Sequence, residues 1–381
     1  MGRIVLGFYS LLFSLSLDNK AYSNIEDKKE IISKVKNFTQ IIEKEKKDQQ
    51  GFVLAILYKD QVIYKSIHGY KKGKKYPITS KTLFPLASVS KPITATALAL
   101  MAQKGKINLN EPFELPYIKN PIQFSNILSH TTGYQFSGDR EIERGFSRDK
   151  LLNTLKNHPV DCEPFNCYRY SNATFSLVEE ALNLYDLNYN EVMKNLNKSL
   201  QTKEIRLQVN KTNEDLAYPH LKQNVKGKIL FKQLPYPPYY PKTVPASAGV
   251  FASLNGMIEF YKLAFGYKPN ILSPRIAKSM FTPVIANNDA KKWNVQWPAK
   301  KENIESSYAL GWRILNIKTN PDNTLVYHPG FINGITSFIG FIPSKEVGII
   351  ILTNQGSKFA SKNGIAFWSH IISNQKKSIS F

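Results

Sequence analysis

The chain has 381 residues, 42% of them hydrophobic and 12% aromatic, so it can bury a large core as one two-part domain or as two domains. Lysine and arginine number 51 against 29 acids, a formal charge of +22 that suits anionic surroundings such as wall polymers, phospholipid head groups or acidic surfaces. Nucleic acid fits less well, because the lysines are scattered and no zinc-finger spacing, RNA-binding motif or basic helix accompanies them.

Residues 1–23 read as a secretory signal, with Arg3 as the positive start, a short apolar stretch over 4–17 and Ala21-Tyr22-Ser23 as a cleavage site. The protein is therefore expected to be exported, periplasmic or secreted. An uncleaved membrane anchor is the alternative, although the run is short for a span. Residues 24–50 predict an amphipathic helix with Ile31, Ile32, Val35, Phe38, Ile41 and Ile42 on its apolar side. Two strands follow at 52–58 and 62–68, joined by a tight Lys59-Asp60 turn. His68, at the end of the second, reads as structural.

The stretch 84–105 carries the first chemical signal. Ser88 and Lys91 stand three residues apart, Pro92 fits the first turn of a helix, and Ile93, Ala97, Leu100 and Met101 recur at helical spacing. Ser88 should sit at the helix N-terminus with Lys91 on the same face. A lysine whose charge is suppressed can take the serine proton, and the helix N-terminus favours a developing oxyanion. The same spacing recurs at Ser33/Lys36, Ser147/Lys150 and Ser373/Lys376 in charged segments, so context singles out Ser88.

Helical patterns over 122–129, 150–157, 175–184 and 190–200 make 106–245 an all-helical insertion. Within it, Cys162 and Cys167 are the only cysteines, and in an exported chain a close pair favours a disulfide over two free thiols. One pair alone is a poor zinc signal. Tyr170 and Asn172 close behind offer a phenol for proton transfer and an amide to orient a substrate. The Pro- and Tyr-rich run 234–241 reads as a rigid loop lining a cleft, with a packed connector as the alternative. Helices at 249–265 and 276–281, strands at 308–314, 324–328, 335–341 and 347–353, and a helix at 360–372 complete the chain. Strands at both ends predict one discontinuous α/β domain, 24–105 with 246–381, interrupted by the helical domain 106–245.

Ser88-Val89-Ser90-Lys91, Tyr170-Ser171-Asn172 and His328-Pro329-Gly330, in that order, resemble the penicillin-recognising serine hydrolases. The nearest branch looks like class C β-lactamases, D-alanyl-D-alanine carboxypeptidases, D-aminopeptidases and family VIII esterases. The segments Leu128-Ser129-His130-Thr131-Thr132-Gly133 and Ala309-Leu310-Gly311-Trp312, with Ser337 and Asn354, support it. The resemblance implies a β-lactamase/transpeptidase-like fold, an antiparallel sheet flanked by helices, with the active site between the two parts. It implies a small peptide, ester or β-lactam substrate, and no cofactor or metal. By the same resemblance Ser88 would be acylated, and Lys91 would take its proton or support a Tyr170 phenolate that does. Asn172 would bond the acyl side chain. The N–H groups of Ser88 and Phe331 would form the oxyanion hole, with His328, Gly330 and Phe331 on an edge strand that meets substrate.

His328-Pro329 departs from the Lys-Thr of class C β-lactamases, which removes a fixed positive charge and a hydroxyl for the substrate carboxylate. The expectation is an exported serine acyl-hydrolase acting on D-amino-acid peptides or esters, with weak β-lactam hydrolysis. An efficient β-lactamase and a catalytically silent binder of wall peptides are the alternatives.

Overall fold

The structure is a computed structural model and describes residues 6–209, 215–236, 239–288 and 297–373. Helix α1 (Leu6–Glu45) precedes strands β1 (Gly51–Tyr58), β2 (Gln61–Lys72), β3 (Lys75–Pro77) and β4 (Phe84–Pro85), and helix α2 (Ser90–Gln103) follows. The middle of the chain holds α3 (Phe124–Ser129), α4 (Asp139–Glu143), α5 (Arg148–Lys156), α6 (Asn172–Phe175), α7 (Leu177–Asn183) and α8 (Tyr189–Leu200). After these come β5 (Ile205–Arg206), the hairpin β6 (His220–Val225) and β7 (Lys228–Gln233), α9 (Tyr239–Thr243), α10 (Pro245–Ala248), β8 (Phe251–Ala252), α11 (Leu254–Ala264) and α12 (Pro274–Ser279). The last third runs β9 (Ile285–Asn287), β10 (Ile304–Tyr308), β11 (Arg313–Ile317), β12 (Asn320–Ile332), β13 (Ile335–Ile342), β14 (Val347–Thr353) and α13 (Phe359–Ile372).

Nine strands form one sheet in the order β3-β2-β1-β14-β13-β12-β11-β10-β9. The first long strand and the last lie side by side, antiparallel, with Phe52 opposite Thr353 and Tyr58 opposite Val347. This pairing joins the two ends of the chain into one layer. The central strands are buried on both faces, and their side chains alternate between two cores. Val53, Ala55 and Leu57 of β1 face the core shared with α2 and the helical part. Phe52, Leu54 and Ile56 face a second core closed by α1 and α13. The apolar stripe of α1 enters that second core through Ile31, Val35, Phe38 and Ile42.

Helix α1 begins well before residue 24 and stops at Glu45, followed by a 3-10 turn at Lys46–Asp48. Residues 1–5 of the expected signal lie outside the described residues. No helix among the described residues is long and apolar enough to cross a membrane.

Two expectations are corrected. The stretch 106–245 is not all helical, since it contains β5 and the β6–β7 hairpin. The expected strand 308–314 is in fact a turn between two strands. β10 ends at Tyr308, Gly311 adopts φ +78°, and β11 starts at Arg313.

Candidate active site

Ser88 lies at the centre of a 3-10 turn, Ala87–Val89, that runs directly into α2. Ala87 is fully buried with φ +48°, a conformation that costs a residue with a Cβ and is kept here by its surroundings. Those surroundings are specific. Leu86 N–H donates to the Val250 carbonyl (2.9 Å), Ser337 Oγ donates to the Leu86 carbonyl (2.7 Å), and Ser90 Oγ accepts from Val250 N–H (3.0 Å). Ser90 is thus a structural serine, and Ser88 alone of the pair lines the cavity.

Lys91 is completely buried, and three oxygens surround its amine. They are Asn172 Oδ1 at 2.6 Å, the Ser247 carbonyl at 3.1 Å and Ser88 Oγ at 3.3 Å. The Tyr170 and Phe175 rings flank it at 4.7 and 5.3 Å. Burial pushes its amine below the ordinary lysine range, the nearby Arg313 guanidinium adds to this, and Tyr170 and Asp139 pull the other way. Tyr170 O–H donates to Ser88 Oγ at 2.9 Å. The serine hydroxyl is thus in contact with both Tyr170 and Lys91, and the structure brings Ser88, Lys91, Tyr170 and Asn172 together.

Tyr170 comes from the loop that the cysteines close, and Cys162 and Cys167 are bonded to each other. The loop is also tied by its backbone to the segment after α3. Asp161 N–H donates to Gly133, Phe165 N–H to Thr131 and Arg169 N–H to His130. His130 sits beneath Tyr170, its ring centroid 4.3 Å away, and its Nδ1 accepts from Ser171 N–H.

The other wall is β12, which is interior to the sheet rather than at its edge. It nevertheless has a free side locally. Pairing with β11 runs only as far as Tyr327 opposite Arg313, so 328–332 extend past the end of that neighbour. Across the two-residue turn Asn333-Gly334, Ile332 and Ile335 form the closing bonded pair, and Gly330 with Ser337 is the next bonded pair. Phe331 N–H then faces away from β13, toward the cavity. Pro329 occupies an outward-facing position too, where its missing N–H breaks no ladder bond. Gly330 is required because a Cβ there would meet Ser337 Oγ and the Leu86 carbonyl, and would lie 3.2 Å from Ser88 N. The strand thus lies flat against the Ser88 turn, with the Ser88 and Phe331 N–H groups on one cavity.

His328 does not reach that cavity, which corrects the expectation that it meets substrate. Its ring is buried at 1% exposure, with Nε2 bonded to Tyr308 O–H (2.9 Å) and Nδ1 to the Pro329 carbonyl (2.8 Å). Burial, then the charges of Arg313 and Lys91, hold it well below the usual histidine range, so it stays neutral.

The cavity has a volume of about 280 Å³. Besides Ser88, Tyr170, Asn172, Gly330 and Phe331, it is lined by Arg313, Asp139, Glu143 and Tyr240. Phe331 is 68% exposed at its mouth. Tyr240 comes from the Pro/Tyr-rich run, whose Pro237 and Pro238 lie outside the described residues. Arg313 was missed in sequence, although it directly follows the Gly311-Trp312 that marks the turn. Its guanidinium lies 4.9 Å from the Tyr170 ring centroid and 5.6 Å from that of Tyr308. Asp139 and Glu143 carry no pattern that sequence reading could have picked out.

The family model for Beta-lactamase matches residues 36–366. The chain belongs to the Beta-lactamase family. Among curated relatives, this member is 22% identical to Protein flp of Staphylococcus aureus (strain NCTC 8325 / PS 47), over 82% of this chain and 61% of that one. It is 25% identical to Unguisins hydrolase ungD' of Aspergillus campestris (strain IBT 28561), over 77% and 56%. The chain spans about three fifths of the length of these relatives. Two solved structures share its fold. EstCE1, a hydrolase with promiscuous acyltransferase activity, superposes with a TM-score of 0.71 at 18% identity, covering 92% of this chain and all of that one. An octameric penicillin-binding protein homologue from Pyrococcus abyssi gives 0.68 at 19% identity, over 84% and 74%. Both show the β-lactamase/transpeptidase-like architecture, a large antiparallel sheet with helices.

Proposed function

We propose that this Beta-lactamase family member is a serine acyl-hydrolase that works through a covalent acyl-enzyme at Ser88. The observation that carries this reading is Ser88 Oγ within 2.9 Å of Tyr170 O–H and 3.3 Å of Lys91 Nζ, beside a strand that turns the Phe331 N–H into the same cavity. Ser88 Oγ attacks the substrate carbonyl carbon as its proton passes to the neutral Lys91 amine, or to Tyr170 once Lys91 supports it as a phenolate. The carbonyl electron pair moves onto oxygen and is held by the Ser88 and Phe331 N–H groups. The leaving group departs with a proton, and water then attacks the acyl-enzyme to release the acid and restore Ser88.

The substrates that fit are D-amino-acid peptides or esters, with β-lactams poorly turned over. His328 supplies no charge to the cavity, and Arg313 is the cation that lines it, so a substrate carboxylate would be met by Arg313. Export is supported by the signal pattern of residues 1–23 and by the Cys162–Cys167 bond, which persists outside reducing compartments. The test is a fluorophosphonate label followed by a panel of D-Ala-D-Ala peptides, p-nitrophenyl esters and nitrocefin. Labelling of wild type but not of Ser88→Ala is expected. Arg313→Ala should raise KM about tenfold or more for carboxylate-bearing substrates and spare neutral esters. Equal labelling of Ser88→Ala would sink the reading.

A further inference from the structure

We propose that Asp139 is a positioning residue for acylation, fixing the Asn172 amide so that its oxygen faces Lys91 and leaves the lysine lone pair to Ser88. The proposal rests on the reading of Ser88 as the nucleophile. Asn172 Nδ2 donates to Asp139 Oδ1 at 2.6 Å, and Asn172 Oδ1 accepts from Lys91 Nζ at 2.6 Å. A carboxylate can only accept, so it selects the amide end that donates, and the oxygen is left on the lysine side. The two residues are rigidly apposed. The N–H groups of Asn172 and Ala173 both donate to the Ser137 carbonyl at 3.0 Å. At Gly138, φ is +78° and an added Cβ would come 2.9 Å from Ala173 Cβ, so α4 starts hard against α6.

The consequence is a count of hydrogens. A neutral lysine amine has two N–H groups and one lone pair. The Asn172 oxygen and the Ser247 carbonyl take the two N–H groups, and the lone pair is left pointing at Ser88 Oγ. When Ser88 O–C forms, the Ser88 O–H bond breaks, its proton joins that lone pair, and the substrate carbonyl π pair moves onto its oxygen. A flipped Asn172 would instead offer its NH₂ to the lone pair and turn a lysine N–H toward Ser88 Oγ, leaving the serine proton no acceptor on the lysine. The charged and titratable groups facing Lys91 are Tyr170, Asp139, Arg313, His130 and His328. Among them Asp139 favours the ammonium form, so removing its charge makes the free amine easier to reach.

The test compares wild type, Asp139→Asn and Asp139→Glu by the pH dependence of fluorophosphonate labelling and by steady-state kinetics, with thermal melts to confirm folding. Asp139→Asn can hold either amide orientation. It should label about 10- to 100-fold more slowly, with the acid limb moved to lower pH and KM little changed. Asp139→Glu keeps the acceptor and should recover part of the rate. An Asp139→Asn protein that labels at the wild-type rate with an unmoved acid limb overturns the proposal. So does one that raises KM alone, since Asp139 would then be contacting substrate. A folded wild type that never labels at Ser88 overturns the hydrolase reading as well, so the two failures are distinguishable.

Discussion

Ser88 and Ser90 are two residues apart, and their fates under substitution should differ. Ser88→Ala should abolish labelling. Ser90→Ala leaves Val250 N–H without its acceptor and should cost about 1–3 kcal/mol of stability while labelling persists. Tyr170→Phe removes the hydroxyl from Ser88 and should slow labelling by about 10²-fold, measured as the rate constant across pH. Gly330→Ala would push β12 off the Ser88 turn, and should lose activity and melt at lower temperature than wild type. At this scale the sequence was legible in that Ser88, Lys91 and Tyr170, singled out by type and context, come together around Ser88 Oγ. It misled at His328, because nothing local reveals that Tyr308, at the end of β10 two strands away, draws the ring inward. Asp139 and Arg313 matter through where the fold puts them, and neither type nor spacing announces that.

Among the elements, α1 and the disulfide loop carry separate predictions. Phe38 is fully buried and packs edge-on to Phe367 of α13, with ring centroids 5.3 Å apart. Phe38→Ala should cost about 3–5 kcal/mol in a denaturant titration and leave kcat unchanged below the melting transition. The Cys162–Cys167 loop is short, so its closure is worth on the order of 2 kcal/mol, and its backbone bonds to 130–133 remain after reduction. Reduction should therefore slow acylation modestly, by loosening Tyr170, rather than abolish it. Equal labelling rates with and without reductant would show that the backbone bonds alone hold the loop. Strands β13 and β14 were legible within a residue because both faces are buried and their apolar runs are unbroken. The β6–β7 hairpin was not. Its residues lie largely exposed, and lysines at 222, 226, 228 and 232 break any alternation. The decoy Ser147-x-x-Lys150 proves to be a helix start, where Ser147 Oγ accepts from Lys150 N–H.

For the molecule as a whole, the histidines predict how stability responds to acid. Five of the six, at positions 68, 130, 220, 328 and 370, are held below the usual histidine range, in each case chiefly by burial. In the unfolded chain they would take protons near pH 6.5, whereas the folded chain refuses them until lower pH. Lowering the pH through that window therefore loads protons onto the unfolded state alone, and stability falls. Glu179, raised chiefly by burial, acts in the opposite sense and softens the slope. The surplus of 51 basic over 29 acidic residues adds self-repulsion as carboxylates neutralise. The melting temperature should thus hold near neutral pH and decline from about pH 6.5 toward pH 5. His370 tests the assignment without touching the cavity, since it packs against Phe38 on the far face of the sheet at 6.2 Å between ring centroids. His370→Phe should flatten part of the decline. A melting temperature constant from pH 8 to pH 5, or one whose slope His370→Phe leaves unchanged, would show that these buried rings do not set the acid limit.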